Sequence, residues 1–127
     1  MIEALFNQPG YTGAKKMLAA VVLRHQAIAT NLANLETPNY RRVDLAPSFQ
    51  NELRQAVASG NARQMASLNP TLAVDPNAVP SNRDGNTVKL EQELVQLSQN
   101  SLEHALEIQL VTSSLLKIRT AITGRAS

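Results

Sequence analysis

Apolar residues recur at alternating spacings of four and three along the last third of the chain, with two polar residues in the same register. This spacing is typical of a narrow helix face that packs against a partner helix. It predicts a helix over residues 88–123, capped at its start by the turn residues 84–87 and ended by Gly124. The series consists of Leu90, Leu94, Leu97, Ser101, His104, Ile108, Val111, Leu115, Ile118 and Ile122.

A shorter series with the same spacing lies near the amino terminus and consists of Ala14, Leu18, Val21, His25, Ile28, Leu32 and Leu35. It predicts a helix over residues 12–35. The helix is expected to end there because Thr37 precedes Pro38, and the residue before a proline disfavours the helical region. The two series predict that the terminal helices pack together as a coiled-coil-like pair, either antiparallel or crossing.

A second apolar row, formed by Leu102, Leu106 and Leu110, runs beside the first row of the carboxy-terminal helix. A single narrow stripe on the amino-terminal helix cannot cover both rows. Three leucines exposed in a line favour association. We therefore interpret this row as a face that packs against neighbouring subunits.

The segment between the two helices has a different composition, with four prolines and many Asn and Ser residues over 41–84. Its sequence predicts one short helix over 49–58, one short strand over 68–74 and otherwise loop. Long loops of this kind are often functional or disordered when alone. We therefore expect the segment to be weakly ordered in the isolated chain.

Together these patterns predict a mainly α fold with long amino- and carboxy-terminal helices and little β structure. Residues 1–40 form an amino-terminal helical segment, residues 41–84 a largely extended middle segment, and residues 85–127 the long carboxy-terminal helix. We expect the first and third segments to form one helical domain.

The composition excludes several classes of function. The absence of cysteine excludes disulfides and thiol chemistry. The formal charge of +2 is spread along the 127 residues, which does not favour nucleic-acid binding. No apolar run is long enough for a membrane span. Residues 1–10 lack the pattern of a secretory signal peptide, so we expect any export to use another route.

Both histidines, His25 and His104, fall within the two helical series. Neither has a His, Asp or Cys three or four positions away, and Glu107 is the one candidate partner for His104. We interpret both as half-buried packing residues and predict no metal, cofactor or catalytic site. The sequence therefore does not indicate an enzyme.

A dense set of amide and turn-forming residues marks the end of the predicted amino-terminal helix: Asn31, Asn34, Thr37, Pro38, Asn39 and Tyr40. Amides at a helix end can bond its free carbonyl groups or a neighbouring backbone. Asn39 tolerates a positive φ, and Tyr40 offers a flat ring with a hydroxyl. A helix end followed by a turn explains the proline, but not the amides that precede it.

This motif resembles the amino-terminal motif of bacterial flagellar rod, hook and hook-associated proteins. The run over residues 84–100 is similar to that of the FlgB family of proximal rod proteins. Two positions depart from the family pattern, which commonly has Gly at the position of Asn39 and an aromatic residue at that of His104. Both departures are mild, because Asn accepts left-handed geometry and His carries a ring.

The resemblance implies a structural subunit that assembles helically at the rod base, connects the MS ring and export gate to the rest of the rod, and transmits torque. The implied partners are further copies of the chain, a FlgC-like rod subunit, a FliE-like adaptor and a FliF-like MS-ring protein. The resemblance also implies a periplasmic position in the basal body, reached through the flagellar type III export apparatus without a cleaved signal peptide.

An export signal is the last feature that the resemblance suggests. Phe49 and Leu53 fit the Phe-x-x-x-hydrophobic pattern of early export substrates, although ordinary helix packing has the same spacing.

Two other functions stay open from the sequence. A FlgC-like rod subunit has a similar length but a different carboxy-terminal run, and a cytoplasmic helical adaptor or export chaperone leaves the amide-rich turn unexplained.

Overall fold

The computed structural model describes residues 9–80 and 83–124 of the chain. The elements follow in the order helix α1 (Pro9–Ala33), strand β1 (Val43–Leu45), helices α2 (Pro47–Ser59) and α3 (Ala62–Ser67), strand β2 (Leu72–Val74) and helix α4 (Leu90–Thr123). The long helices α1 and α4 pack against each other. The prediction of a mainly α fold built on two long terminal helices is therefore confirmed.

Both long helices end for the reasons that the sequence provides. α4 stops at Gly124, whose φ of 66° is the left-handed conformation common at helix ends. α1 begins slightly earlier than predicted, because Pro9 lacks only an N–H that the first turn of a helix leaves unbonded. It ends at Ala33, close to the predicted end, and turns lead into Thr37 and Pro38.

The middle segment contains more regular structure than the sequence predicts. β1 and β2 pair in antiparallel fashion, with Val43 opposite Val74 and Leu45 opposite Leu72. The predicted helix is present as α2, which Pro47 begins. The short helix α3 was not predicted. It starts where the Asn61 side chain accepts a hydrogen bond from the Gln64 N–H at 3.0 Å.

The main apolar core lies between α1 and the middle segment, not between the two long helices. It is formed by six buried residues, Ala20, Leu45, Phe49, Leu53, Ala56 and Met65. One of these belongs to α1 and five belong to the segment that was expected to be weakly ordered. The small side chains on α1 let α2, α3 and β1 approach closely, and weak order of this segment in the isolated chain stays a prediction.

The buried face of α1 is correspondingly wider than a single stripe. Ala14, Val21 and Ile28 of the predicted series are buried, but so are Ala20 and Ala27 on the adjoining side. The first set includes residues near α4, and the second extends the face toward the middle segment. His25, which was predicted to be half-buried, is exposed, so that part of the prediction is wrong.

The inward face of α4 is rotated by about one residue from the predicted series. Leu94 is 48% exposed, whereas its neighbour Glu93 is fully buried. Asn100 is buried in place of Ser101, and His104 is exposed. The prediction fails because it assigns apolar residues to the inside, whereas Glu93 and Asn100 find hydrogen-bond partners on α1. The leucines of the predicted series consequently lie largely on the outside.

Candidate assembly site

The end of α1 is joined to β1 by the side chain of Asn31, which is fully buried. Its Nδ2 donates to the carbonyl of Val43 at 2.8 Å, and the Val43 N–H donates to its Oδ1 at 3.0 Å. The amide thus bonds both backbone groups of one residue, as a neighbouring strand would. The Tyr40 hydroxyl donates to the same Oδ1 at 3.2 Å. Asn31 therefore fixes the start of β1 against the helix.

The remaining motif residues shape the turn after α1. The Asn34 side chain donates to the Thr30 carbonyl at 2.8 Å and accepts from the Thr37 hydroxyl at 3.0 Å. Pro38 follows and is exposed. Asn39 has a φ of 59°, which matches the left-handed geometry expected for it. Its N–H donates to the carbonyl of Asp84 at 2.9 Å, so the turn reaches the segment before α4.

Asn86, in the segment before α4, caps the end of α1. Its buried Nδ2 donates to the carbonyls of Asn34 and Thr37 at 2.8 Å and of Leu35 at 3.1 Å. These carbonyls follow the last helical residue, and those of Asn34 and Thr37 also accept backbone N–H groups of the turn, from Thr37 and Tyr40. Residues 84–87 were predicted to cap α4, but the cap position of α4 is Lys89 and has no side-chain hydrogen bond. They cap α1 instead.

Gly85 is required at this contact for two reasons. Its φ of 78° is strained for residues with a side chain. A Cβ at this position would also overlap the Oδ1 of Asn39. The positive φ therefore favours glycine here, and any larger residue would also have to displace the Asn39 side chain.

A buried ion pair between Arg42 and Glu93 ties the middle segment to α4. Arg42 Nε donates to Glu93 Oε1, and both side chains are almost completely buried. Arg42 Nη1 also donates to Asp44 at 3.0 Å and to Asp75 at 2.8 Å. Asn31 Nδ2 lies 3.3 Å from the second oxygen of Glu93. The start of β1, the residue after β2 and the first turn of α4 therefore share one charged cluster.

The surroundings of Arg42 favour its charged form. Burial alone would lower the pKa of Arg42, but hydrogen bonds to Glu93 and Asp44 and the charges of both carboxylates outweigh it and raise the pKa. Burial, with the nearby charge of Glu93, raises the pKa of the Tyr40 hydroxyl, which therefore stays protonated as a donor to Asn31.

The outer face of α4 is apolar and uncovered. Leu102, Leu106 and Leu110 are 65%, 53% and 54% exposed. Most other strongly exposed large apolar side chains of the described residues also lie on this helix: Leu90, Leu94, Val95, Ile108, Leu115, Leu116 and Ile122. Monomeric proteins rarely leave contiguous apolar patches of this kind in water.

Comparison with known proteins gives several relatives along most of the chain, although no protein-family model matches it. The flagellar basal body rod protein FlgB of Aquifex aeolicus is 30% identical over 114 residues, which cover 88% of this chain and 91% of the relative. FlgB of Salmonella typhimurium is 30% identical over 118 residues, covering 80% and 83% of the two chains. The FlgB of Bacillus subtilis is 26% identical over 119 residues, covering 84% and 88%. The chain belongs to the FlgB family of flagellar basal body rod proteins.

The two regions that carry the resemblance to the FlgB family form one site in the structure. The motif after α1 and the run before α4 are far apart in sequence, yet Asn86 and Gly85 from the second contact Asn34 and Asn39 from the first. The amides that a simple helix end left unexplained are used here. Together with Asn86 they hold the turn after α1 against the segment before α4.

Sequence reasoning missed Arg42 and Glu93 and gave Asn86 the wrong helix to cap. One signal was available for α4. Glu93, Asn100 and Glu107 are seven residues apart, which is the repeat of a helix that packs against another helix along one line. Such a repeat of polar residues indicates an inward face whose partners are also polar. Arg42 carries no comparable periodic signal, because it follows a turn.

The two predicted export-signal residues lie in the core. Phe49 and Leu53 are buried on α2 beside Ala20 and Met65. The folded protein therefore does not present them to a receptor. Their packing role is established by these contacts, and their role in export stays a prediction.

Replacing Asn86 with Asp tests the closure of α1. The change keeps the shape of the side chain but replaces the donor with a buried carboxylate that faces three carbonyl oxygens. We expect a loss of about 3–5 kcal/mol in the free energy of unfolding at neutral pH, as for other uncompensated buried charges. Urea denaturation measures it. Asn51→Asp on the exposed side of α2 is the matched control, and an equally small effect of both changes would contradict the assigned role.

Proposed function

We propose that this chain is a subunit of the proximal rod that assembles helically at the rod base through the outer face of α4. Membership of the FlgB family makes it a structural component of the flagellar basal body rod. The observation that carries the finer proposal is the apolar row of Leu102, Leu106 and Leu110, which its own chain leaves exposed. The row fits a helix that is completed by neighbouring subunits.

The energetics of α4 support burial of this face in an assembly. Removing a leucine side chain from water contributes about 1.5–3 kcal/mol. An isolated subunit forgoes most of that contribution along the outer face. Packing neighbouring helices against the row recovers it once per subunit, so assembly is favoured over the separate chains. A cytoplasmic adaptor does not pack against repeated copies of itself, so that function does not explain how the row is buried.

The polar inward face of α4 supports the same assignment. Its buried residues in the described part are Glu93, Asn100 and Ile118. Glu93 and Asn100 lie in the first part of the helix and hold it through hydrogen bonds. Hydrogen bonds fix the direction of a helix more strictly than apolar contacts, which tolerate sliding. We call the contacts of Asn31, Arg42, Asn86 and Glu93 the junction. We infer that the junction orients α4 and that neighbouring subunits stabilise the rest of this helix.

The same junction is suited to the transmission of torque. Asn31, Arg42, Asn86 and Glu93 connect α1, the middle segment and α4 through buried hydrogen bonds and one ion pair. A load applied to either long helix is therefore shared with the other. We propose that the motif residues Asn31, Asn34, Thr37, Pro38, Asn39 and Tyr40 serve assembly by fixing this geometry.

The proposed partners follow from a position at the rod base. They are further copies of the chain, a FlgC-like rod subunit, a FliE-like adaptor and a FliF-like MS-ring protein, and the proposed role includes linking the MS ring and export gate to the rest of the rod. We place the assembled subunit in the periplasmic part of the basal body, reached through the type III export apparatus without a cleaved signal peptide. Across the described ranges, every helix falls short of the length or apolarity that a membrane span requires.

Replacing Leu106 with Glu tests the outer face of α4. The exposed carboxylate should leave the isolated subunit folded and secreted, because water solvates it. In the assembled rod it would be buried without a partner at every copy, at a cost of several kcal/mol per contact. We expect loss of motility and of basal bodies, with secretion retained. Val79→Glu changes a similarly exposed residue outside α4 and serves as the control. Full motility of the Leu106 variant would show that the row faces water.

Replacing both Phe49 and Leu53 with Ala tests the export signal. Recognition of these residues requires the unfolded chain, since both are buried in the folded one. We expect the double variant to accumulate in the cytoplasm. Met65→Ala removes a buried side chain of the same core without touching the pattern and should be secreted. Equal secretion of both variants would reduce Phe49 and Leu53 to packing residues.

A further inference from the structure

A groove with a volume of about 790 Å³ runs between α1, α2 and α4. Its floor is formed by the small residues Gly13 and Ala14 of α1, and Leu53 and Val57 of α2 line one side. The opposite side belongs to α4. Because Gly13 and Ala14 carry little or no side chain, they leave space above them, and this space is sufficient for several side chains of another helix.

One carboxylate in this groove lacks a partner. Glu107 lines the α4 side, and its Oε2 is buried without a hydrogen bond in the part of the chain that the structure describes. Burial, with the charge of Glu103, raises its pKa. Glu103 itself lies 3.6 Å from Arg24 of α1. Arg54 lines the groove from α2, and no ion pair within 4.0 Å joins it to Glu107 across the described residues.

We propose that this groove binds the end of α4 from a second copy of the chain, with Arg119 of that copy against Glu107. Leu115 and Ile122, on either side of Arg119, would lie against the apolar lining. This inference rests on the proposed function, because it names the surface through which one rod subunit holds the next.

The end of α4 matches the groove in both charge and apolar character. Leu115, Arg119 and Ile122 follow the spacing of four and three that places residues on one helix face. Leu115 is 40% and Ile122 is 49% exposed. This face therefore presents one cation between two apolar side chains. The groove presents the unpartnered carboxylate of Glu107 beside apolar side chains, and its lining also includes Arg54 and the paired Glu103.

Other basic residues fit the groove less well. Lys15 lies 5.0 Å above the Tyr11 ring, and Lys16 donates to Ala66 and Asn69. Lys117 is exposed near Arg119, but the residues at helical spacing from it are small or polar, such as Ser113 and Ala121. Of these basic residues, Arg119 is the one that has apolar side chains beside it on the same helix face.

The contact would extend an assembly without closing it. Glu107 and Arg119 lie on the same helix, about 18 Å apart along its axis at about 1.5 Å per residue. One copy would use its groove while the next uses its helix end, so the interface joins two different surfaces. Interfaces of this heterologous type generate rings or open helical filaments. An open helical assembly is the architecture of the proposed rod.

A charge exchange tests this pair in cells that produce only the altered chain. Glu107→Arg and Arg119→Glu should each reduce the yield of basal bodies at least tenfold, because each places like charges at the contact. The combination of both changes restores opposite charges and should recover most of the yield. Lys117→Glu is the matched control and should assemble normally. Secretion is measured in parallel, so that a failure of export is not mistaken for a failure of assembly.

The isolated subunit separates assembly from folding. Glu107 has a raised pKa in the folded chain, so its ionised form is disfavoured there and Glu107→Gln should not lower the melting temperature at neutral pH. The same variant should still reduce basal-body yield, because the partner arginine loses its carboxylate. A drop in melting temperature as large as the drop in assembly would show a folding role and overturn the proposal.

The remaining outcomes also decide the matter. If Glu107→Arg blocks assembly and Arg119→Glu does not rescue it, the cation comes from another protein and the proposed pairing of two copies is wrong. If neither single change alters the yield, the groove is no interface. Either result leaves the proposed rod function standing if the unaltered chain is present in purified basal bodies, whereas the absence of the unaltered chain from them would refute that function itself.

Discussion

The buried ion pair between Arg42 and Glu93 is the interaction on which the arrangement of the chain depends. Both side chains are almost fully withdrawn from water, so breaking the pair by removing one partner leaves an uncompensated charge. Asn31, Asp44 and Asp75 complete the hydrogen bonds of the pair. Such a cluster tolerates few alternative geometries. It therefore fixes where α4 begins relative to α1 and the middle segment.

The chain therefore has two parts. One contains the apolar core, and the other is α4, which leaves most of its large apolar side chains exposed. α1, α2, α3 and β1 share an apolar core with Phe49 and Met65 near its centre. α4 contributes little to that core, because its buried residues include Glu93 and Asn100. Most of its large apolar side chains are exposed instead. We propose that the self-contained part positions α4 and that the assembly supplies the apolar partners that the single chain lacks.

The sequence predicts the ends of the elements better than their faces. Gly124 and Pro38 act through local backbone geometry, so the ends of α1 and α4 could be located without tertiary information. The inward face of α4 could not, because a pattern of apolar residues does not reveal that Glu93 meets Arg42 and Asn100 meets the Val21 carbonyl. In a subunit built to assemble, the outer face is apolar as well, and the usual assignment of leucines to the inside fails. The family motif was recognisable, but its closure by Asn86 depends on a contact between distant parts of the chain.

Accessibility of position 106 in the two states tests this account most directly. The chain contains no cysteine, so Leu106→Cys introduces a single site for a maleimide reagent. The account predicts rapid labelling of the secreted, isolated subunit, and labelling of purified basal bodies only after they are denatured. Equal labelling rates in the isolated subunit and in intact basal bodies would contradict the claim that neighbouring subunits bury the outer face of α4.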